Sequence, residues 1–254
     1  MEYVNERYIS KGLSANNLKF IAILAMVLNH TAVVFVPKES FMGQLMYGIG
    51  RITMPIMCYF IAEGYYKTSN IRRYILRLSI FTIIAHYAFF FFATGVPPIS
   101  FNDGIRIQIQ FPTSVIFTLL LGLIALNIWN NKKINICLKL IFIFIICIFS
   151  IGGDWGYTGV LWTLVFGANH GEFKNQIIGF LIVSIGMLCS PIISFVNINN
   201  SLWWWELYQL GLLLTIPLLA QYNGKLGVSK NTKWTFYIFY PLHLLLLGYL
   251  KYCI

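Results

Sequence analysis

The chain is predicted to be all-α: a polytopic transmembrane helical bundle of about nine spans (range 8–10), forming a single domain over residues 1–254. Three observations carry this. The 254 residues are 58% hydrophobic and 10% charged, with a mean hydropathy of +0.73, whereas soluble domains carry roughly 25% charged residues. Apolar runs close to the ~20 residues needed to cross a bilayer recur from end to end. The longest loop, near 95–112, is too short for a soluble domain.

The runs fall at 17–37, 44–66, 74–94, 113–129, 136–152, 155–169, 176–196, 203–222 and 234–252. Met1 to Asn17 is polar without a cleavable signal pattern, so the first run is expected to remain as a span. The second carries Arg51, Pro55 and Glu63, and Pro55 is placed to kink it where Arg51 needs space. Phe89 to Phe92 in the third is lipid-facing or core filling. The sixth is short enough to be tilted or re-entrant. Trp203, Trp204 and Trp205 open the eighth, where indole rings favour a headgroup zone. Turn chemistry separates the runs at Lys67–Asn70, Val96–Pro98, Asn130–Lys133, Gly152–Gly156, Asn197–Ser201 and Asn223–Gly224. Neither a 20–50-residue repeat nor an inverted pair of broken helices is visible.

The net charge of +10 suggests nucleic acid at first sight, but its distribution points to topology. With the N-terminus in the cytoplasm, Arg7, Lys11, Lys19, Lys67, Arg72, Arg73, Arg77, Lys132, Lys133, Lys139, Lys174, Lys225, Lys230 and Lys233 fall inside. Lys38, Arg106 and Lys251 fall outside, and Arg51 lies within a span. That is the positive-inside bias of a multi-pass protein of the bacterial inner membrane, with the lipid bilayer and no nucleic acid as partner. Cys58, Cys137, Cys147, Cys189 and Cys253 show no CxxC spacing and read as small apolar residues, and Cys253 is not placed as a prenylation box. No metal-ligand spacing occurs, so no metal is expected.

The first span holds the strongest chemical lead. Lys19 opens it and His30 follows eleven residues later, which moves ~16–17 Å along a helix and returns to nearly the same face. A titratable group at that depth is costly and points to function. An imidazole there suits a general base, against the alternative of a packing histidine bonded to a carbonyl. Asn29 points about 100° away, towards an adjacent helix.

Lys67, Arg72, Arg73 and Arg77 place four cations in eleven residues at the cytoplasmic surface. They anchor topology or, since guanidinium forks fit phosphate oxygens, hold a polyphosphate headgroup together with Lys19. Coenzyme A fits such a layout: phosphates at the surface and a pantetheine arm reaching mid-membrane. Arg51 is a pocket-lining or charge-partner candidate, and Glu63 is either pocket-lining or paired with Lys67 at i,i+4. Asp154 in Gly152–Gly159 either lines an outer entrance or caps a helix. Tyr240 and His243 are pocket candidates in the last run, while His86 and His170 read as interfacial and structural.

Taken together, Leu18–His30, Gly50–Pro55, Ala62–Tyr65, Arg73–Leu78, Phe117–Leu123, Asp154–Val160 and Phe239–His243 resemble the TraX family of bacterial membrane proteins, named for an enzyme that acetylates the N-terminus of F-type pilin. More distantly the chain resembles the acyltransferase-3 proteins and the lysosomal heparan-glucosaminide acetyltransferase. In the former, a basic residue, ten intervening residues and a histidine form the first-helix motif, which Lys19 and His30 match. Family members often carry aspartate before that histidine, and here it is Asn29.

The resemblance implies an acyltransferase, with acetyl-CoA or a related acyl-CoA as donor substrate and a peptide or surface glycan as acceptor. It makes His30, with Asn29, the catalytic candidates. Lys19, Arg51, Arg72, Arg73 and Arg77 become candidates for the acyl-CoA site. Two other classes remain open, a transporter or flippase and a non-catalytic membrane assembly factor.

Overall fold

The computed structural model describes residues 12–100, 106–107, 113–196, 203–227 and 232–253. Arg7, Lys11, Lys230 and the turn at 197–201 lie outside these. In chain order the elements are α1 (Ala15–Phe35), α2 (Phe41–Gly50), α3 (Thr53–Lys67), α4 (Ile71–Thr94), β1 (Ile99–Ser100), β2 (Arg106–Ile107), α5 (Val115–Trp129), α6 (Ile136–Ser150) and α7 (Gly156–Ala168). Then come α8 (Phe173–Leu188), α9 (Ser190–Val196), a 3₁₀ helix (Trp203–Leu214), α10 (Thr215–Ala220) and α11 (Thr232–Cys253). Among the described residues the fold is helical apart from the two-residue antiparallel ladder of β1 and β2 and two isolated bridges, Leu13 with Tyr222 and Thr113 with Gly153.

Among the described residues, four helical stretches are long and apolar enough to cross a membrane: Ala15–Phe35, Phe41–Lys67, Ile71–Thr94 and Phe173–Val196. Apolar runs on their own suggested about nine crossings, and the difference has identifiable sources. Helices α5, α6 and α7 have 15, 15 and 13 residues, short of the ~20 that a span requires. The run at 203–222 divides into the 3₁₀ helix and the six-residue α10. The second run is interrupted at Arg51–Ile52, between α2 and α3, but still counts as one spanning stretch. Pro55 lies in the first turn of α3, where a missing N–H costs no helical bond.

The chain contacts divide into two compact units, one of residues 12–57 with 185–236 and the other of 58–184 with 237–254. In the first, α1 begins with its amides satisfied. Ala15 N–H donates to the Lys225 carbonyl (2.9 Å), Asn16 N–H to Leu226 (3.1 Å) and Asn17 N–H to the Ser14 hydroxyl (3.3 Å). The α2–α3 chain runs antiparallel to α1: Asn29 packs on Gly50, and Thr53 Oγ1 donates to the Ala22 carbonyl at 3.1 Å. The 3₁₀ helix meets α2 through glycines, with Gly211 directly on the Gly48 carbonyl.

A 3₁₀ helix repeats every three residues, so its side chains stack in rows. One row, Glu206, Gln209, Leu212 and continuing to Thr215, turns inward. Leu207, Leu210 and Leu213 form the exposed row, as in a helix facing lipid.

In the second unit α5 packs on α7, with Gly122 against Thr163 and Gly167 against Leu126. Small residues of this kind let helices approach closely in lipid, where no hydrophobic force draws them together. Three interior polar groups are paired across helices: Trp162 Nε1 donates to Ser184 Oγ (3.0 Å), Gln176 Nε2 to the Phe166 carbonyl (2.7 Å) and Cys58 Sγ to the Gly159 carbonyl (3.3 Å). All five cysteines are free, and Cys137 and Cys253 are exposed. On α4, Leu76, Ile80, Ile83, Ile84 and Tyr87 are exposed, whereas Tyr74, Leu78, Ala85, Ala88 and Phe92 are buried. An apolar face turned outward beside an apolar face turned inward is the pattern of a helix in a bilayer.

The glycine crossing gives a direct test. A methyl group on Gly211 meets the Gly48 backbone, which has no rotamer to yield, so Gly211→Ala is expected to destabilise the protein by ~1–3 kcal/mol. Gly186→Ala, where nothing lies within 4 Å, is expected to be neutral or stabilising by up to ~1 kcal/mol through helix propensity. Thermal unfolding of both variants in detergent measures the contrast.

Candidate functional site

In the first unit His30 is buried on α1. Lys19 lies eleven residues nearer the start of that helix, with its Nζ 5.6 Å from the centre of the Phe236 ring. Asn29 is half-buried and its side chain rests on Gly50. A residue with a Cβ at position 50 would displace it, so the glycine sets how closely α2 approaches the Asn29–His30 level. Arg51 follows as the C-cap of α2, which puts a guanidinium on α2 near the level at which α1 carries its imidazole.

That guanidinium stacks on Tyr208 of the 3₁₀ helix, 4.5 Å from the ring centre, while Lys38 Nζ approaches the same ring to 4.6 Å. Helix α2 is 10 residues long, ~15 Å, so cations at its two ends fold back onto one tyrosine. Tyr47 adds a tilted ring contact at 5.8 Å.

Around them run polar contacts that apolar surroundings favour. Gln209 Nε2 donates to Tyr208 Oη (3.3 Å) and to Glu206 Oε2 (3.5 Å). Ser190 Oγ donates to Glu206 Oε2 (3.5 Å), and Lys38 pairs with Glu206 Oε1 (3.5 Å). Gln44 fastens this assembly to α2, donating to the Trp205 carbonyl (3.1 Å) and accepting from Tyr208 N–H (3.1 Å).

Sequence inspection missed Glu206, Tyr208 and Gln209. A carboxylate inside an apolar run was the available signal; that it would meet a lysine 168 positions away was not readable from spacing.

The other candidates lie in the second unit. Arg72 and Arg73 are exposed in the first turn of α4, which holds no acidic residue and is capped by Asn70 accepting from Arg73 N–H (3.0 Å). Cations oppose the helix dipole at an N-terminus, so this turn is a place where an anion is welcome on two counts. Arg77 is turned inward, with its guanidinium 5.2 Å from the Tyr74 ring and 5.6 Å from the Tyr237 ring.

Glu63 makes the i,i+4 pair with Lys67 (2.8 Å) and also bonds His170 Nε2 (2.9 Å). His170 stacks on Tyr66 at 4.1 Å, and Tyr66 Oη donates to the Gly167 carbonyl at 2.8 Å. The cluster ties the end of α3 to the end of α7, a structural place for His170.

Asp154 is not a helix cap. The N-cap of α7 is Trp155, in the left-handed region at φ 68° and without a side-chain cap bond. Asp154 instead sits in a backbone tie: its N–H donates to the Thr113 carbonyl (2.8 Å) and its carbonyl accepts from Thr118 Oγ1 (2.6 Å). Its carboxylate is within electrostatic reach of Tyr240. Tyr240 and His243 meet edge to face, ring centres 5.6 Å apart, and His243 Nδ1 bonds the Phe239 carbonyl at 3.0 Å. Tyr240 and His243, three residues apart on α11, are therefore neighbours in space. Among the described residues no three His, Cys, Asp or Glu side chains are grouped to hold a metal.

Long apolar helices carrying buried hydrogen-bonding groups define a helical integral membrane protein. Residues 14–251 match the family model described as TraX protein, and the chain belongs to the TraX family. It is similar to the probable fimbrial assembly protein FimC, serogroup H1, of Dichelobacter nodosus: 34% identical over 234 residues, covering 92% of this chain and 94% of that protein. No solved structure matches.

The Glu63 cluster is testable by a double-mutant cycle. Glu63→Gln and His170→Ala, singly and together, are expected to show a coupling of ~0.5–1 kcal/mol in thermal unfolding, the range of a partly exposed ion pair. Additive effects would place the two side chains apart.

Proposed function

We propose that the protein is a membrane-embedded acyltransferase that moves an acetyl or other short acyl group from cytoplasmic acyl-CoA to an amine or hydroxyl of a peptide or surface-glycan acceptor. The observation that carries this reading is His30, a buried imidazole eleven residues along α1 from Lys19. In the proposed reaction His30 takes the proton of the acceptor as its nitrogen or oxygen attacks the thioester carbonyl, directly or after carrying the acyl group itself. The tetrahedral oxyanion is steadied by Asn29, Arg51 or backbone amides. It collapses by breaking the carbon–sulfur bond, and the coenzyme A thiolate leaves.

Arg72 and Arg73, with the first-turn amides of α4, supply phosphate contacts in this reading, and Arg77, over its two rings, supports that turn; Lys19 is a candidate by its place in the first-helix motif. Sidedness follows the lysine and arginine split: the N-terminus and the α3–α4 turn are cytoplasmic, in the inner membrane, with about nine crossings. The name of the Dichelobacter nodosus relative favours a fimbrial subunit as the peptide acceptor. The same name favours a second reading, a non-catalytic assembly factor, in which His30 only packs.

Replacing His30 with alanine separates the two. The variant is expected to fold in detergent and to lose acyl transfer from labelled acetyl-CoA; a packing histidine would instead lose yield or thermal stability while the purified fraction keeps its activity. For the phosphate site, titration calorimetry with coenzyme A is expected to show Arg73→Gln weaker by ~1.5–3 kcal/mol, about tenfold to a hundredfold in Kd. Arg73→Lys should recover part of the loss because the charge remains and the fork does not. Equal affinities across the three proteins would reduce the cluster to a membrane anchor.

A further inference from the structure

We propose that the groove between α6 and α7 binds an anionic phospholipid, with an acyl chain along the groove and the phosphate at the α5–α6 turn. The site goes beyond the acyltransferase reading and does not depend on it. The first observation is the groove itself, which lies wholly within the second unit. Leu140, Phe144, Ile148 and Ile151 recur at i, i+4, i+8 and i+11 along one face of α6 and its C-cap, while Tyr157 and Leu161 of α7 form the opposite wall. Ile143 is the floor, buried in one cluster with Ala125 and Val160. The four α6 side chains and Tyr157 are exposed.

The groove's dimensions bear on its occupant. Leu140 to Ile151 spans ~16–17 Å at helical rise, and the groove has a volume of ≈ 430 Å³. The mean cross-section is then ~26 Å², or ~5 Å across. A helix with its side chains is ~10–12 Å in diameter and would rest over such a furrow, not in it. An extended hydrocarbon chain, one methylene wide, fills it.

The second observation is charge at one end of the groove. The α5–α6 turn carries Lys132 and Lys133, both exposed, and among the described residues no carboxylate pairs with either. Lys139, in the first turn of α6 and next to Leu140 in sequence, donates to the Trp129 carbonyl at 2.6 Å. That bond uses one of the three donors of its ammonium. Trp129 ends α5 just before this turn, as indole rings do at headgroup level. The far end is different: from Ile151 to Tyr157 the chain has Asp154 and neither lysine nor arginine.

Charge and shape together choose the lipid. Three lysines at the start of α6, with the positive end of that helix, favour a phosphate there. Leu140 lies four residues into α6, ~6 Å below its start, so the chain enters the groove beneath the headgroup. A zwitterionic headgroup brings its own cation among the lysines, and an anionic one does not.

Full-length protein purified in detergent is titrated with phosphatidylglycerol and phosphatidylcholine of identical acyl chains, and with glycerol phosphate, with binding read by native mass spectrometry. Wild type is expected to hold phosphatidylglycerol about tenfold or more tighter than phosphatidylcholine, and to hold no glycerol phosphate. Lys132→Gln with Lys133→Gln should abolish the preference at unchanged Tm and leave phosphatidylcholine binding as it was. Ile148→Trp, which fills the groove, should weaken both lipids about tenfold or more. Ile141→Trp, at an exposed position outside the groove, should change neither. Equal affinity of wild type for the two lipids, an unchanged preference in the double lysine variant, or undiminished binding by Ile148→Trp would overturn the site. Glycerol phosphate binding as tightly as the lipid would reduce it to a phosphate site without the groove. A dimer that Ile148→Trp dissociates would make a second copy of the chain the occupant and overturn it equally.

Discussion

Hydrocarbon offers no hydrogen bonds, so every polar group taken into the bilayer must find its partner within the protein. Much of this structure follows from that constraint. The first-turn amides of α1 end on the Lys225 and Leu226 carbonyls and on Ser14. Trp162 is fully buried because Ser184 receives its indole hydrogen, and Gln44 both donates to and accepts from the 3₁₀ helix. Since lipid is as apolar as a leucine side chain, close packing holds the helices instead. Glycines stand where backbones meet, at Gly48–Gly211 and at Gly50 under Asn29.

The same constraint sorts what was legible in the sequence. Helical class and membrane character followed from composition. Lys19, His30 and Arg51 stood out because a titratable group in an apolar run is exceptional, and the Glu63–Lys67 pair followed from helical spacing. The number of crossings was less legible. Hydropathy measures the length of an apolar run, while helix length depends on where turns and caps cut it, as within 203–222. Partners distant in sequence were invisible: nothing local announces that Glu206 meets Lys38, or that His170 meets Glu63. Of the two readings of Asp154, the helix cap does not hold, because the turn uses a left-handed Trp155, a conformation that composition does not favour.

Each compact unit carries its own polar assembly. One holds His30, Asn29 and the Arg51–Tyr208–Lys38 stack. The other holds the arginine turn of α4 and the Tyr240–His243 pair. In the proposed reading His30 of the first is the base, and Arg72 and Arg73 of the second are candidates for the donor phosphates.

The most direct measurement is thiol release. Purified protein in vesicles, supplied with acetyl-CoA and a membrane-presented amine or hydroxyl, should liberate coenzyme A catalytically and leave the labelled acetyl group on the acceptor in equal amount. Thiol release no faster than in protein-free vesicles, across amine and hydroxyl acceptors alike, would contradict the account.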